Sequence, residues 1–442
     1  MSERTIQDLW QLQGLPLNLK IRMTKDRIRQ WIQTYGEDGV YVSFSGGKDS
    51  TVLLDLVRQE YPNVPGMFVD TGLEFPEIRN FVRQHENIDW VKPKMNFKAV
   101  IQKYGYPFIS KEVSECVYGA RKYLTSVMEQ SSIDRQTDRQ TDRSRATHTD
   151  WTSSSEEASL QARVPEAHRR RQICDRASLQ KQSGGGTTTS IESSEDLDSI
   201  RLKQALNSAP SQTIDNFRIQ RLMGILPLNG KATMETIPSK ADRSAFSCVR
   251  YQFFLDAPFE IGNQCCNVMK KSPGKAYQKR TGRVPMTAQM ASESRLRTQI
   301  WLKQGCNAFD AKKPMSNPMA FWTEQDVLLY IYQTHLPICS VYGEVVKEQG
   351  QDGQMDLADY FGTELFDLER PTLKTTGYNR TGCMFCGFGC HLEKPGEGRF
   401  ERMKHTHPKQ YDYIMRPWKE GGLNYKEVID WINEHGDLHI RY

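Results

Sequence analysis

The chain has 442 residues, with 59 Lys plus Arg against 54 Asp plus Glu, giving a net charge of only +5. That balance is too mild for a dedicated nucleic-acid binder and is compatible with small anionic ligands. The length allows about two to three domains with an ample core, no segment approaches about 18 consecutive apolar residues, and Met1-Ser2-Glu3-Arg4 lacks a signal peptide's hydrophobic stretch, so the expectation is a cytoplasmic protein without a helical membrane span.

Residues 1–34 read as an N-terminal helical segment. A strand-like run, Tyr41-Val42-Ser43-Phe44, then enters Ser45-Gly46-Gly47-Lys48-Asp49-Ser50 and an apolar helix pattern over 51–60. Two consecutive glycines let backbone N–H groups approach phosphate oxygens without Cβ obstruction. Lys48 adds a cation, and Ser45 and Ser50 add hydroxyl donors at the helix start. The run differs from the pattern G-x-x-x-x-G-K-[ST], whose upstream glycine it lacks. After the turn Tyr61-Pro62-Asn63, a second strand, Gly66-Met67-Phe68-Val69, leads into Asp70-Thr71-Gly72-Leu73-Glu74-Phe75-Pro76-Glu77. Open α/β sheets bind ligands at the carboxyl ends of their strands, which is expected to set Asp70 and Gly72 beside Gly46 and Gly47.

Residues 131–212 break this pattern. A repeated Asp-Arg-Gln-Thr, the basic run His168-Arg169-Arg170-Arg171 and a Gly/Thr-rich stretch at 183–189 read as a low-complexity, disordered or loosely helical insertion interrupting one domain. The basic run reads as a solvated loop before it reads as a nucleic-acid contact.

Ten cysteines in such a chain favour metal or redox use over a disulfide framework. Cys265-Cys266 form a tandem pair and Cys383-x-x-Cys386 a turn. Four thiolates suit a 4Fe-4S cluster, zinc uses the same donors, and free redox thiols are the third reading. Adjacent cysteines reach one centre only where the backbone kinks, as at a helix end. Cys390 reads as a spare ligand or a reactive thiol. Cys116, Cys248, Cys306 and Cys339 read as packing residues, and His405, His407, His435 and His439 as surface residues. Lys270, Lys271 and Lys275 would offset thiolate charge or attract a sulfate or phosphate. Arg297, four residues after Glu293 at a helix start, reads as an anion clamp or as one half of an ion pair with Glu293. Residues 318–335, with Trp322, Val327, Leu328 and Ile331 at helical spacing, predict a core-facing helix.

Ser45 to Ser50 resemble the PP-loop of ATP pyrophosphatases. With Val69-Asp70-Thr71-Gly72-x-x-Phe75-Pro76-Glu77, the chain resembles the phosphoadenylyl-sulfate and adenylyl-sulfate reductase family, iron-sulfur branch. Glu293-Ser294-x-x-Arg297 and Asn317-Pro318-x-x-x-Trp322-x-x-x-Asp326-Val327-x-x-Tyr330-Ile331 extend the likeness over most of residues 35–345 outside the insertion.

The resemblance implies an α/β fold, a parallel sheet flanked by helices of the adenine nucleotide alpha hydrolase-like kind. Its nucleotide domain would span 35–130 and 213–345, with a C-terminal Cys-x-x-Cys region at 346–442. It also implies an adenine nucleotide, ATP or adenylyl sulfate, bound by Ser45, Gly46, Gly47, Lys48, Asp49, Ser50, Asp70, Gly72, Glu293 and Arg297. Lys48, Asp49 and Arg297 would be catalytic, and Cys265, Cys266, Cys383 and Cys386 would hold the 4Fe-4S cluster. The family's reductases carry a nucleophile in a Glu-Cys-Gly-x-His motif, whereas no cysteine follows Cys390 in this sequence. Three functions therefore stay open. The first is a reductase-type enzyme served by a reductant protein. The second is an ATP-pyrophosphatase sulfurtransferase with a sulfur donor, a nucleic-acid acceptor and Mg²⁺ on Asp49 or Asp70. The third is a nucleotide-binding accessory protein.

Overall fold

The computed structural model describes residues 4–122, 125, 248–348 and 371–442. The expected insertion at 131–212 lies outside the described residues. Met1–Tyr118 and Ala257–Tyr442 form one compact unit, so the cysteine-bearing C-terminal region belongs to the same unit as the nucleotide core. Gly119–Asp256 forms a second unit. Within it, Val249–Asp256 is a 3-10 helix with a kink at Tyr251.

The centre of the first unit is a six-stranded sheet. Its strands are β1 (Val40–Ser43), β2 (Gly66–Val69), β3 (Ile88–Val91), β5 (Val284–Met286), β6 (Asn307–Ala308) and β7 (Met315–Ser316). The order is β3-β2-β1-β5-β7-β6, parallel throughout except for β6, which runs antiparallel to β7. The mixed α/β class and mostly parallel sheet agree with the sequence reading. Val40, Tyr41 and Val42 are all buried, as expected of a strand covered on both faces. β2 coincides with the expected strand.

Helices flank this sheet. The N-terminal segment is two helices, α1 (Ile6–Gly14) and α2 (Leu17–Tyr35), because Pro16 cannot continue the first. Ile28, Trp31 and Ile32 of α2 face the core. Lys20 of α2 is fully buried, and its Nζ bonds to Asp326 Oδ2 at 2.6 Å. Asp326 also caps its own helix, Glu324–Thr334, through Thr323. Val327, Leu328 and Ile331 are buried there as their spacing predicts, while Trp322 precedes the helix. After β1, helix α3 (Lys48–Arg58) begins three residues earlier than its apolar pattern, directly on the glycine loop. Helix α4 (Pro76–Arg83) follows β2, and α5 (Phe97–Tyr104) follows β3.

Two small sheets complete the unit. β4 (Phe108–Ile109) pairs in parallel with β10 (Gly387–Phe388), and β8 (Val345–Lys347) pairs antiparallel with β9 (Leu373–Thr375). The β4–β10 pair joins the Cys383-x-x-Cys386 turn to the core. Gly387 packs so closely that a Cβ would lie 2.4 Å from Phe108 Cδ1. Tyr425 seals the junction, its hydroxyl donating to Phe385 O at 2.6 Å.

Candidate functional site

The glycine loop is held by its own hydroxyls. Ser45 N donates to Ser50 Oγ at 3.2 Å, and Ser50 and Thr51 donate to Gly47 O at 2.9 and 3.0 Å. Gly46 adopts φ +70°, and a Cβ there would lie 2.9 Å from the side chains of Ile78 and Val82. Both conformation and space therefore demand glycine. Lys48 is buried: its Nζ donates to Asn379 O at 3.0 Å and pairs with Glu324 at 3.0 Å, and its backbone N–H donates to Tyr342 Oη at 3.2 Å. Burial pushes the Asp49 carboxyl above the usual carboxylate range despite the neighbouring Lys48. Asp49 Oδ1 is buried without a hydrogen-bond partner.

A cleft of about 450 Å³ opens at the carboxyl ends of the parallel strands. Ser43, Phe44 and Ser45 after β1, Met67 to Val69 of β2, and Pro285 and Thr287 at β5 form its floor. Lys270, Lys271, Lys275 and Gln278 form one wall, with Lys313, Glu74, Thr381 and Gly382 at other edges. Of the expected nucleotide-binding residues, Ser45 lines this cleft. Gly46, Gly47, Lys48, Asp49 and Ser50, which continue the loop into the helix start, are not among its lining residues.

Asp70 and Gly72, expected beside the glycine loop, are not among the residues lining the cleft. Asp70 is buried and accepts from Arg79 Nη2 at 2.9 Å, leaving Oδ1 without a partner. Gly72, at φ +75°, shapes the exposed turn. Glu74 caps the loop through Thr71, at 3.1 Å from its N–H and 2.6 Å from its hydroxyl. The same loop receives the cysteine turn, because Met384 N donates to Leu73 O at 2.8 Å. Arg297 is ion-paired with Glu293 across the extended Ser294 that caps its helix, the alternative to a free anion clamp. It lines a separate recess that shares Gln289 with the main cleft. Burial and Arg380 push its guanidinium below its ordinary value.

The two cysteine pairs come together. Gln264–Cys266 opens a helical stretch that passes through a π-turn at Asn267–Lys271 into the helix Ser272–Thr281. Such π-turns often mark functional sites. The Cys265 and Cys266 thiols are coupled to each other, and both interact electrostatically with Cys386. The neighbouring Cys265 thiol, with Lys111, Lys270 and Lys271, holds the Cys266 thiol below its ordinary value. Cys265 is raised correspondingly. Burial pushes Cys383 up to about 11 although Lys270 is electrostatically coupled to it. The crowding around Lys270 would push its ammonium down, but Cys383 and Glu74 more than offset this and raise it.

Among the described residues no group of three or more His, Cys, Asp or Glu side chains closes around one point as a single ion requires. Thiolates are the donors an iron-sulfur cluster uses, and here four thiols come from two segments with Lys270 and Lys271 beside them. Cys390 is apart from them in role. Its Sγ donates to Gly387 O at 2.8 Å and burial raises its thiol, so it does not have the lowered pKa of a reactive cysteine. His407 corrects another expectation: it is buried, with Nε2 3.2 Å from the Glu77 carboxylate and its ring edge-on to Phe75.

Several site residues carry no pattern in the sequence. Tyr342, Asn379, Glu324 and Gln278 reach the site only through tertiary packing. Thr381 and Gly382, adjoining Cys383, had proximity to the cysteine turn as their one available signal.

A strand, a Ser-Gly-Gly-Lys-Asp-Ser loop and a helix at the carboxyl edge of a parallel sheet define a PP-loop α/β protein. The model of the phosphoadenosine phosphosulfate reductase domain matches residues 39–123 and 234–387, and the chain belongs to that family. Adenosine 5'-phosphosulfate reductase of Staphylococcus haemolyticus is 33% identical over 98 residues, 21% of this chain and 40% of that protein. Phosphoadenosine 5'-phosphosulfate reductase of Photobacterium profundum is 32% identical over 84 residues, 19% of this chain and 33% of that protein. The chain thus spans less than half the length of these relatives. A phosphoadenylyl-sulfate reductase structure from Candida auris, a phosphate complex, aligns at 11% identity and TM-score 0.29, over 76% of this chain and 90% of that one. No helix among the described residues is long and apolar enough to cross a membrane.

Proposed function

We propose that the chain is an iron-sulfur enzyme of the sulfonucleotide reductase type, acting on an adenine nucleotide at its phosphate or sulfate end. The observation that carries this reading is the double position of Lys270, which lines the cleft and is electrostatically coupled to the Cys383 thiol. A nucleotide in the cleft, with its anionic end toward Ser45 and the Lys270, Lys271 and Lys275 wall, would bring that end to the cysteine centre. Ser45, Lys48 and the amides of the glycine loop would bind phosphate by charge-assisted hydrogen bonds. Cys265, Cys266, Cys383 and Cys386 would hold the 4Fe-4S cluster, which supplies a redox-active, electrostatically tunable centre when bound. Lys270 would hold the anion and the ligand sphere in register. A reductant protein is the implied partner.

One observation favours the sulfurtransferase as a second reading. Asp49 and Asp70 each keep a buried carboxylate oxygen without a hydrogen-bond partner, that of Asp49 3.7 Å from Lys48 Nζ, and a nucleotide seated on the loop would bring Mg²⁺ within reach of such oxygens to neutralise a pyrophosphate leaving group. Incubating anaerobically purified protein separately with adenylyl sulfate plus a dithiol reductant and with ATP distinguishes the two. AMP and sulfite from the first supports the reductase reading. AMP and pyrophosphate from ATP assigns the sulfurtransferase, and nucleotide binding without either product pair leaves the accessory role.

A further inference from the structure

Two groups with which the PP-loop would meet phosphate, the backbone N–H and the ammonium of Lys48, are engaged by oxygens of neighbouring segments. The Lys48 N–H, first of helix α3, donates to Tyr342 Oη, and that hydroxyl lies 2.6 Å from Thr381 Oγ1. Lys48 Nζ donates to Asn379 O. Tyr342 is only 2% exposed and sits over Gly47, where a Cβ would be 3.3 Å from its Oη. Residues 377–382, which supply Asn379 and Thr381, run directly into Cys383. The phenol thus stands as a neutral oxygen at a helix N-terminal amide, the place where a charged phosphate oxygen makes a stronger bond.

We propose that Tyr342 is a positioning residue that holds the phosphate seat of the PP-loop and yields it to a nucleotide, so that nucleotide entry releases Thr381 and loosens the 377–382 segment leading to Cys383. This rests on the nucleotide reading above and adds to it a link by which the cysteine turn senses the occupied loop. Nothing in it requires the cluster to be loaded.

Hydrogen exchange by mass spectrometry on the full chain tests the link, with adenylyl sulfate as the added nucleotide and ATP as the second. In the wild type, nucleotide is expected to protect amides of 44–51 and to speed exchange several-fold in 377–382. In Tyr342→Phe, exchange in 377–382 is already fast without nucleotide and changes no further on its addition. Loss of the competing hydroxyl also tightens nucleotide binding about three- to tenfold, the equivalent of one modest neutral hydrogen bond. Thr381→Val, which removes the hydroxyl's partner without emptying a core position, is expected to shift both readouts in the same direction and covers the case in which Tyr342→Phe fails to fold. Protection of 44–51 with no change in 377–382, or weaker binding in Tyr342→Phe, would overturn the link and leave the nucleotide reading standing. Absence of any protection at 44–51 in the wild type would remove both.

Discussion

Lys48 and Asp49 show how one turn of helix handles charge. Lys48→Ala removes a cation from the phosphate seat and is expected to weaken nucleotide binding by about 1.5 to 3 kcal/mol, with the circular dichroism spectrum unchanged. Isothermal titration with adenylyl sulfate measures it, and equal affinity would refute the role. Asp49 works against stability, because its carboxyl is raised in the folded chain relative to the ordinary 3.8. A raised carboxyl binds its proton more tightly when folded, so stability falls as pH climbs from about the unfolded value through the folded one. Asp49→Asn is therefore expected to melt at a higher temperature than the wild type at neutral pH, with the two curves converging toward pH 4. Melting scans across that range check the sign. The loop between strand and helix was legible, since two glycines, a lysine and two hydroxyls at that junction form a recognisable pattern. Burial of His407 against Glu77, and the pairing of Asp70 with Arg79, were not legible. They arise from elements distant in sequence or from the exact pitch of α4, and neither leaves a periodic trace.

At the scale of elements, β2 was readable as a continuous apolar run and the Glu324–Thr334 helix from its helical spacing. The two-residue strands β4 and β10 have no period to show, and Ile109 of β4 has φ +65°, a region that β-branched residues avoid. Yet this pair anchors the Cys383-x-x-Cys386 turn. Gly387→Ala is expected to destabilise the protein by about 1 to 3 kcal/mol through overpacking on Phe108. Urea unfolding of the variant tests the anchor, and an unchanged midpoint would contradict it. Cysteine spacing identified the ligand candidates, while the docking of Met384 on Leu73 and the π-turn after Cys266 were hidden in tertiary structure. Single Cys→Ser changes at 265, 266, 383 or 386 are expected to lower the iron content and visible absorbance of anaerobically purified protein. The same change at Cys339, a buried packing residue, leaves both intact. Loss of absorbance in the Cys339 variant as well would point to general instability and away from a defined ligand set.

At the scale of the whole molecule, one compact unit carries the PP-loop, the cleft and both cysteine pairs. The proposed function makes them a single site, with Lys270 joining cleft and cysteines. Mössbauer spectroscopy of the ⁵⁷Fe-enriched chain, recorded with and without adenylyl sulfate, tests this most directly. The account predicts a 4Fe-4S signal whose parameters shift when the nucleotide binds, and no such shift in Lys270→Ala. A chain that binds the nucleotide but contains no iron, or whose iron signal ignores it, would contradict the claim that cleft and cysteines act together.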